Sequence, residues 1–270
     1  MAFGLFNKPQ KKAVKRDKQV PKPVKKVVKA KPVVKKASKP VHKPAPKPVV
    51  KKVEVKPIVK SSKEPVVEKM DDSKAYELLK SAKLPVVKTV FLKSEKDLTM
   101  LKTVGFPCMM KVSSTKIIHK TEVGGVVKVN TPEEVPEIFK RLMKIKGTEK
   151  VLVQEFKDGI ELIIGAKSDP QFGCVVSVGL GGIYVEVFKD AKFRVCPITV
   201  GDAEAMVKEL AGYEILAGAR GKKPINFNVL YDLIVRVGNF ALRSGIKEMD
   251  LNPVICDDKG CYIADIRIIK

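Results

Sequence analysis

The chain has 270 residues, and its 53 Lys and Arg residues outnumber its 30 acidic residues, which gives a formal net charge of +23 at pH 7. No run of about 18 apolar residues occurs, and the opening MAFGLFNK is too short an apolar run for a signal peptide, so we expect a cytoplasmic protein without a transmembrane segment. The five cysteines form no CxxC pair, which argues against a zinc site or a disulfide framework.

Nearly all of the excess charge lies in the first quarter of the chain. Residues 1–63 hold 21 Lys and Arg residues and nine prolines, against two acidic residues, Asp17 and Glu54. Frequent prolines and mutually repelling lysines favour an extended chain without helices or sheets. We predict a disordered basic tail over residues 1–65. Such a tail either contacts polyanions non-specifically or serves as a solubility or tethering segment with no dedicated partner.

From about residue 70 the sequence alternates between helical and strand-like segments. Apolar spacing predicts a helix at 71–84, a strand at 85–92, a Ser-capped helix at 94–104 that stops at Gly105, strands at 107–114 and 124–130, and a helix at 131–146 that begins with Thr131-Pro132. There follow strand-like segments at 151–156, 160–169, 174–182 and 184–198, helices at 202–210 and 224–245, and a hairpin at 246–270. Because helices and strands are mixed without a regular βαβ rhythm, we predict an α+β fold.

Two glycine pairs, Gly124-Gly125 and Gly181-Gly182, stand at predicted strand–turn junctions. Missing side chains let backbone N–H groups approach a phosphate closely, although most such pairs are plain turns. Neither pair has the spacing of a Walker A loop or a dinucleotide fingerprint. Both interpretations, phosphate contact and simple turn, stay open from the spacing alone.

The C-terminal hairpin suggests a cation site. If DDKG forms a four-residue loop, Cys256 opposes Cys261, and Asn252 lies opposite Asp265 with Asp250 on the same face. An amide oxygen and a carboxylate at such positions can share Mg²⁺, which takes one or two protein ligands plus phosphate oxygens. The alternative is a polar, solvated sheet face. For the two cysteines, buried thiols are favoured over a bridge.

Other charged residues admit more than one interpretation. His119, one of two histidines, is a buried spacer, a metal ligand or a nucleophile. Lys111, in an apolar strand, is a phosphate-binding point charge or an edge lysine. Glu155 and Glu161 lie in strand-like segments, where charges normally mark a solvated face. The Gln-Glu-aromatic step at Glu155 is alternatively a hinge that offers its backbone to an adenine.

Four segments together resemble one family. They read GFPCMMKVSSTKIIHKTEVGGVVKV, QEFKDGIELIIGAKSDPQFG, GLGGIYVEVFKDAKFRVCPI and EMDLNPVICDDKGCYIADIRI. Their order and spacing resemble the ATP-grasp β subunit of the ADP-forming acetyl-CoA (acyl-CoA) synthetases, relatives of succinyl-CoA synthetase. The resemblance covers about residues 70–270. It implies an ATP-grasp domain over 66–270, in which subdomains of about 70–150 and 151–270 clamp ATP or ADP.

The resemblance also implies a reaction and a partner. The reaction is acyl-CoA + ADP + phosphate ⇌ carboxylic acid + CoA + ATP. A separate CoA-binding α subunit carries a first phosphohistidine, and an α2β2 assembly is expected. Two alternatives remain: a subunit of a succinyl-CoA synthetase-like or other carboxylate ligase, and a non-catalytic nucleotide-binding module localised by the basic tail.

Site roles follow from the same resemblance. The catalytic residues implied are His119, as a second phosphoryl relay, and Asp250, which orients it; alternatively His119 only lines the pocket. Asn252 and Asp265 are the implied Mg²⁺ ligands. The implied nucleotide contacts are Lys111, Lys120, Gly124, Gly125, Glu155, Phe156, Glu161, Gly181, Gly182 and, more weakly, Arg194.

Overall fold

The structure is a computed structural model that describes residues 68–117, 120–182, 190–221 and 223–270. The predicted disordered tail and His119 lie outside the described residues. The helices are α1 (Asp72–Ser81), α2 (Val135–Met143), α3 (Val200–Lys208), α4 (Tyr213–Leu216) and α5 (Phe227–Ser244), with 3₁₀ segments at Glu95–Thr103, Pro132–Glu134 and Ala219–Gly221. No helix within the described ranges is long and apolar enough to cross a membrane.

The strands form two antiparallel sheets. They are β1 (Thr89–Leu92), β2 (Cys108–Ser113), β3 (Val126–Val129), β4 (Lys150–Glu155), β5 (Ile160–Asp169), β6 (Gly173–Leu180), β7 (Ala191–Val195), β8 (Glu248–Cys256), β9 (Cys261–Ile263) and β10 (Ile266–Ile269). The first sheet has the order β1-β4-β2-β3. The second has the order β10-β8-β5-β6-β7, and β9 also pairs with β8. The predicted α+β class is confirmed, whereas the subdomain division at residues 150 and 151 stays a prediction.

The first sheet buries one face and leaves the other to the site. Its core consists mainly of Leu92, Leu101, Cys108, Met110, Val112, Val129, Phe139, Leu142, Val151 and Val153. These residues pack the sheet against α2 and the 3₁₀ helix Glu95–Thr103, and each fully buried large apolar side chain contributes roughly 1.5–3 kcal/mol. Because successive side chains of a strand point to opposite faces, Met109 and Lys111 of β2 and Gln154 of β4 lie on the other face.

The second sheet is built in the same way on a larger scale. Strands β5, β6 and β8 pack one face against α3 and α5, in a core that includes Leu162, Ile164, Val176, Val178, Leu230, Ile234, Met249 and Leu251. A register shift where Leu162 and Ile164 pair with β8 adds one residue to β8, beside a cis Asn252–Pro253 peptide bond. The shift changes the alternation of β8, so that Asn252 and Ile255 both lie on the open face.

Helix ends follow the capping rules. The Asp71 side chain accepts from the Ser73 and Lys74 N–H groups at the start of α1, and α5 ends at Gly245 with φ +65°. The segment predicted as a helix after Ser94 is a 3₁₀ helix rather than an α-helix. It buries only Leu101, so little packing enforces α geometry over this segment.

The hairpin register predicted from the sequence is confirmed. Cys256 pairs with Cys261, and the same register continues into β10, where Leu251 pairs with Ile266. The expectation of free thiols was wrong, because the two cysteines form a disulfide with their Cα atoms 4.1 Å apart. Directly opposed positions of an antiparallel pair bring side chains this close on one face.

Candidate functional site

A cavity of about 600 Å³ lies between the polar face of the first sheet and the open face of the second. Its described lining combines charged, amide and apolar groups from both sheets and from the turn before β3. The lining residues are Met109, Lys111, Lys120, Thr121, Glu122, Val126, Gln154, Glu155, Phe156, Lys157, Glu161, Ile163, Gly182, Asn252, Pro253, Ile255, Ala264 and Asp265. Eight residues predicted from the sequence therefore meet here: Lys111, Lys120, Glu155, Phe156, Glu161, Gly182, Asn252 and Asp265.

Lys120 forms the centre of a buried ion cluster. Its Nζ lies 2.8 Å from Asp265 Oδ1 and 3.3 Å from Asp72 Oδ2, and the residue is only 6% exposed. Burial lowers the pKa of Lys120, but the two carboxylates outweigh this effect and hold the pKa above its ordinary value. Lys120 is therefore a cation at the wall of the cavity.

Lys111 supplies a second buried ammonium group. It is 7% exposed, and its Nζ donates to the Ala264 carbonyl at 2.9 Å. The Tyr76 hydroxyl donates to the same carbonyl at 2.9 Å. Burial lowers the pKa of Lys111, partly offset by the charge of Asp265. An ammonium stripped of water and directed into a cavity suits a phosphate, whose charge replaces the lost solvation.

Asp265 and Asn252 form the part of the site best suited to a cation. The Asn252 N–H donates to the Asp265 carbonyl at 3.2 Å, so the two residues are opposed as the hairpin register predicted. Burial raises the pKa of Asp265, but Lys120 and Lys111 outweigh it and hold the pKa below its ordinary value. Asp265 is therefore an anion with an amide neighbour, a donor pair that hard cations prefer.

The rest of a cation's ligands would come from outside the protein. Among the described residues, no three His, Cys, Asp or Glu side chains cluster closely enough to hold a metal. One carboxylate and one amide fit an ion that keeps several waters or phosphate oxygens, as Mg²⁺ does. These residues therefore fit Mg²⁺ better than a metal that needs a complete protein cage.

The end of the cavity at β4 carries aromatic and charged groups. Lys128 Nζ lies 3.7 Å from the centroid of the Phe156 ring, and Lys157 Nζ lies 2.7 Å from Glu155 Oε1. Lys157 also lies over the Tyr262 ring at 4.6 Å. Glu155 is thus neutralised locally, and the lining beside it is suited to a flat, weakly polar group.

Glu161 and the second glycine pair approach each other closely. The Gly181 N–H donates to the Glu161 carbonyl at 2.7 Å. A Cβ at Gly182, which has φ +59°, would lie 2.9 Å from Glu161 Oε2. At Gly181 a Cβ would lie 3.0 Å from the Glu161 carbonyl carbon, and Gly182 has a left-handed backbone, so both positions favour glycine. Only Gly182 of the pair is among the described lining residues.

The first glycine pair forms a turn outside the cavity lining. The Gly124 N–H donates to Thr121 O at 3.0 Å and the Gly125 N–H to Lys120 O at 2.8 Å. A Cβ at Gly125 would lie 2.5 Å from Val112 Cγ2, so the residue is fixed against β2. Since both amides already have partners, the structure does not bring Gly124 and Gly125 to the cavity as phosphate donors.

Arg194 is also placed elsewhere. It lies on β7, with Nη2 2.6 Å from Glu209 Oε1 and Nη1 donating to the Phe193 carbonyl. It is not among the described residues that line the cavity. Its guanidinium is held beside Glu209, the residue that follows α3, at the β7 end of the second sheet.

Asp250 shares the open face with Asn252 but faces a different cavity. This second cavity, of about 430 Å³, also contains Glu248, Phe172 and Phe193 in its lining. Burial raises the pKa of Asp250, and Glu248 and Asp265 add to the increase while Arg267 opposes it. Asp250 is thus close enough to feel the charge of Asp265 without lining the main cavity.

Sequence reasoning missed several groups at this site. Gln154 donates to the Tyr76 hydroxyl at 2.6 Å and lines the cavity, and Lys157 lines it beside Glu155. Asp72, 1% exposed, was visible only as an acidic residue at a helix start. Helix and strand periodicity places a residue on a face but does not name the residue it meets across the molecule.

Comparison with known proteins identifies the fold and its relatives. Residues 60–269 match the ATP-grasp domain family. The chain is 42% identical over 201 residues to acetate–CoA ligase [ADP-forming] II of Archaeoglobus fulgidus, covering 73% of this chain and 29% of that protein. It is 39% identical over 209 residues to acetate–CoA ligase [ADP-forming] I subunit beta of Pyrococcus furiosus, covering 73% of this chain and 90% of that subunit.

A solved structure with a similar fold agrees with the sequence comparisons. An acetyl-coenzyme A synthetase of Ca. Korarchaeum cryptofilum superposes with a TM-score of 0.67 and 38% identity, over 75% of this chain and 92% of that chain. It was solved in complex with coenzyme A and Mg-AMPPCP, with a phosphohistidine segment pointing towards its nucleotide-binding site. The fold and the family predicted from the four motifs are thereby confirmed. The chain belongs to the ATP-grasp family, in the group that contains the β subunits of ADP-forming acetate–CoA ligases.

Proposed function

We propose that the chain is the nucleotide-binding β subunit of an ADP-forming acyl-CoA synthetase. With a partner it would catalyse acyl-CoA + ADP + phosphate ⇌ carboxylic acid + CoA + ATP. The observation that carries the proposal is the convergence of Lys111, Lys120, Asn252 and Asp265 on one cavity between two sheets. Two buried ammonium groups beside a carboxylate–amide pair suit a polyphosphate with its cation.

In this proposal one part of the cavity binds the phosphates of the nucleotide and another part binds its base. Lys111 and Lys120 bind phosphate oxygens, and Asn252 and Asp265 hold Mg²⁺, which supplies charge neutralisation when bound. Glu155 and the Phe156 backbone border the adenine. Glu161 lies nearer the ribose or phosphates, and Gly181 and Gly182 close over them. The neutralisation of Glu155 by Lys157 supports its place beside an uncharged base.

His119 acts as the phosphoryl acceptor in this proposal. In the direction of ATP synthesis, the phosphohistidine ring carries a proton on its other nitrogen. The P–N bond breaks, a terminal ADP phosphate oxygen forms the new P–O bond, and the imidazole leaves neutral with that proton. A neutral imidazole suits this exchange because its ordinary pKa, about 6.5, lies near neutrality. Its neighbour Lys120, a cation at the cavity wall, supports the assignment since transfer depends mainly on positioning and electrostatics. Asp250 is the residue proposed to orient the ring, which requires its carboxylate to reach the ring from the second cavity that it lines.

A partner completes the enzyme. The chain spans 29% of the Archaeoglobus relative, and the Pyrococcus relative is named a β subunit, which supports a partner chain that supplies the rest of the reaction. The proposed partner is a CoA-binding α subunit in an α2β2 assembly in the cytoplasm, with the basic tail contacting polyanions non-specifically.

The test is reconstitution. The full chain is purified with a CoA-binding α subunit from the same source, and ATP formation is measured from acetyl-CoA, ADP and phosphate. The proposal expects ATP that depends on both chains and on Mg²⁺, and that is lost in Asp265→Ala. Nucleotide binding without turnover would overturn the proposal in favour of a non-catalytic module. Measuring activity with a panel of carboxylic acids distinguishes a ligase that uses succinate from one that uses acetate or another acid.

A further inference from the structure

The buried cluster around Lys120 extends beyond the cavity to α1. Asp72, the first residue of α1, directs Oδ2 to Lys120 Nζ at 3.3 Å and Oδ1 to Lys69 Nζ at 2.9 Å. Lys69 also donates to the Ser114 carbonyl, just beyond β2, at 3.1 Å. Asp72 is not among the described residues that line the cavity, and it contacts the lining through Lys120.

The cluster is an expensive arrangement for stability alone. Burying several charged groups carries a desolvation penalty, so well-packed apolar side chains of the same volume would often give an equally stable or more stable protein. Among the described residues, Asp72 and Asp265 are the carboxylates that pair with Lys69 and Lys120, and Lys111 contacts the Ala264 carbonyl, so these three lysines and two carboxylates carry a positive excess next to the cavity. A positive excess is useful where a polyanion binds, which points to a functional reason for the burial.

Lys120 and a bound cation compete for the same carboxylate. Lys120 Nζ contacts Asp265 Oδ1 at 2.8 Å, and Asp265 is the proposed Mg²⁺ ligand. A metal bound by either oxygen of Asp265 therefore lies close to the Lys120 ammonium group, and the two cations repel each other. With Asp72 3.3 Å away, Lys120 keeps a charged partner when Asp265 turns to the metal.

We propose that Asp72 is a positioning residue that holds Lys120 at the cavity wall and so releases Asp265 to the divalent cation. The inference rests on the proposed function, since it assumes a cation–nucleotide complex in this cavity. Lys69 completes the device by neutralising the other Asp72 oxygen. Without Asp72, Asp265 would be the one carboxylate left to Lys120 in this cluster, and the metal would share that carboxylate with a tightly held ammonium group.

The neighbouring aspartate provides a matched control. Asp71 also pairs with a buried lysine, with Lys150 Nζ 2.8 Å from its Oδ2. Neither of these two residues is among the described lining residues of the cavity. Asp71→Asn therefore removes a similar ion pair and keeps an oxygen that can cap α1, without changing the contacts of Lys120.

The experiment measures ADP binding to the full chain by calorimetry, without metal and across a Mg²⁺ titration. For Asp72→Asn we expect the Mg²⁺ midpoint to rise about 10- to 100-fold, the scale for loss of a group that supports a metal ligand indirectly. Metal-free ADP binding should be unchanged or tighter, because the cluster becomes more positive. Asp71→Asn should lower Tm and leave both binding quantities unchanged.

A double-mutant cycle tests whether Asp72 acts through Lys120. In a Lys120→Met background, Asp72→Asn should no longer shift the Mg²⁺ midpoint. The inference would be overturned if Asp72→Asn still shifted the Mg²⁺ midpoint in the Lys120→Met background. It would also be overturned if Asp72→Asn alone left the midpoint unchanged, or weakened metal-free and Mg²⁺-dependent ADP binding equally. If Asp72→Asn does not fold, the charge-balanced double variant Lys69→Met, Asp72→Asn replaces it. The same result is expected: a higher Mg²⁺ midpoint without weaker metal-free ADP binding. Absence of Mg²⁺-dependent ADP binding in the parent overturns the proposed function itself, and the inference with it.

Discussion

Single side chains at this site are defined by how their charge is compensated. Lys111 is buried and donates one hydrogen bond, to the Ala264 carbonyl, whereas Lys120 is paired with two carboxylates. Burial lowers the pKa of Lys111, while the carboxylates raise the pKa of Lys120. The less compensated ammonium gains most from an added phosphate, which makes Lys111 the sharper probe of nucleotide binding.

Replacing Lys111 by Met should separate binding from stability. We expect ADP affinity to fall by roughly 1.5–3 kcal/mol, the cost of a lost hydrogen bond to a charged group. Tm should stay the same or rise, because an apolar side chain removes the desolvation cost of a buried ammonium. Calorimetry and thermal denaturation measure the two quantities. Lys102→Met, at an exposed lysine of the 3₁₀ helix, should change neither; a large drop in the Tm of Lys111→Met would assign Lys111 to folding instead.

Elements of the fold hold the loops at the site through close backbone contacts. The turn from Lys120 to Gly125 closes with the Gly125 N–H on the Lys120 carbonyl, and the Val112 N–H donates back to the Gly125 carbonyl at 2.8 Å. Strand β2, which carries Lys111, thereby fixes the segment that carries Lys120. The glycine pair thus acts on the site through backbone position.

A methyl group at Gly125 should disturb this element. In Gly125→Ala the new Cβ would lie 2.5 Å from Val112 Cγ2 and 2.8 Å from the Lys120 carbonyl, so strand or turn must shift. We expect a loss of about 1–3 kcal/mol in the free energy of unfolding, measured by urea denaturation. Gly201→Ala is the matched control: its Cβ would meet only Thr199 Oγ1 at 3.7 Å, and a helical alanine should stabilise by roughly 0.5–1 kcal/mol. Equal effects at both glycines would contradict the proposed close packing of the turn.

Over the whole molecule, the sequence predicted those features whose cause is local. The hairpin register follows from one loop length, so the opposition of Asn252 and Asp265 could be predicted from the sequence alone. The Ser94 cap and the stop at Gly105 were predicted for the same reason. The family was predicted from the order and spacing of four sequence motifs, without use of the predicted helices and strands.

Features that depend on distant partners were not predictable. Nothing local to β1 indicates that it pairs with β4, or that α1 brings Asp72 to Lys120 across the molecule. Asp250 illustrates a related limit: it lies on the predicted face, but the sheet extends far enough to contain two cavities, and Asp250 faces the second. A sequence pattern identifies a face, whereas the site depends on what covers each part of it.

The most direct test of phosphoryl transfer by this chain uses its two histidines. The full chain is incubated with γ-labelled ATP and Mg²⁺, and acid-labile, base-stable label is measured on the protein. Phosphoryl transfer by His119 predicts label on the parent and on the variant of the tail histidine, His42→Ala, and loss of label in His119→Ala and Asp265→Ala. Label that survives in His119→Ala would contradict it.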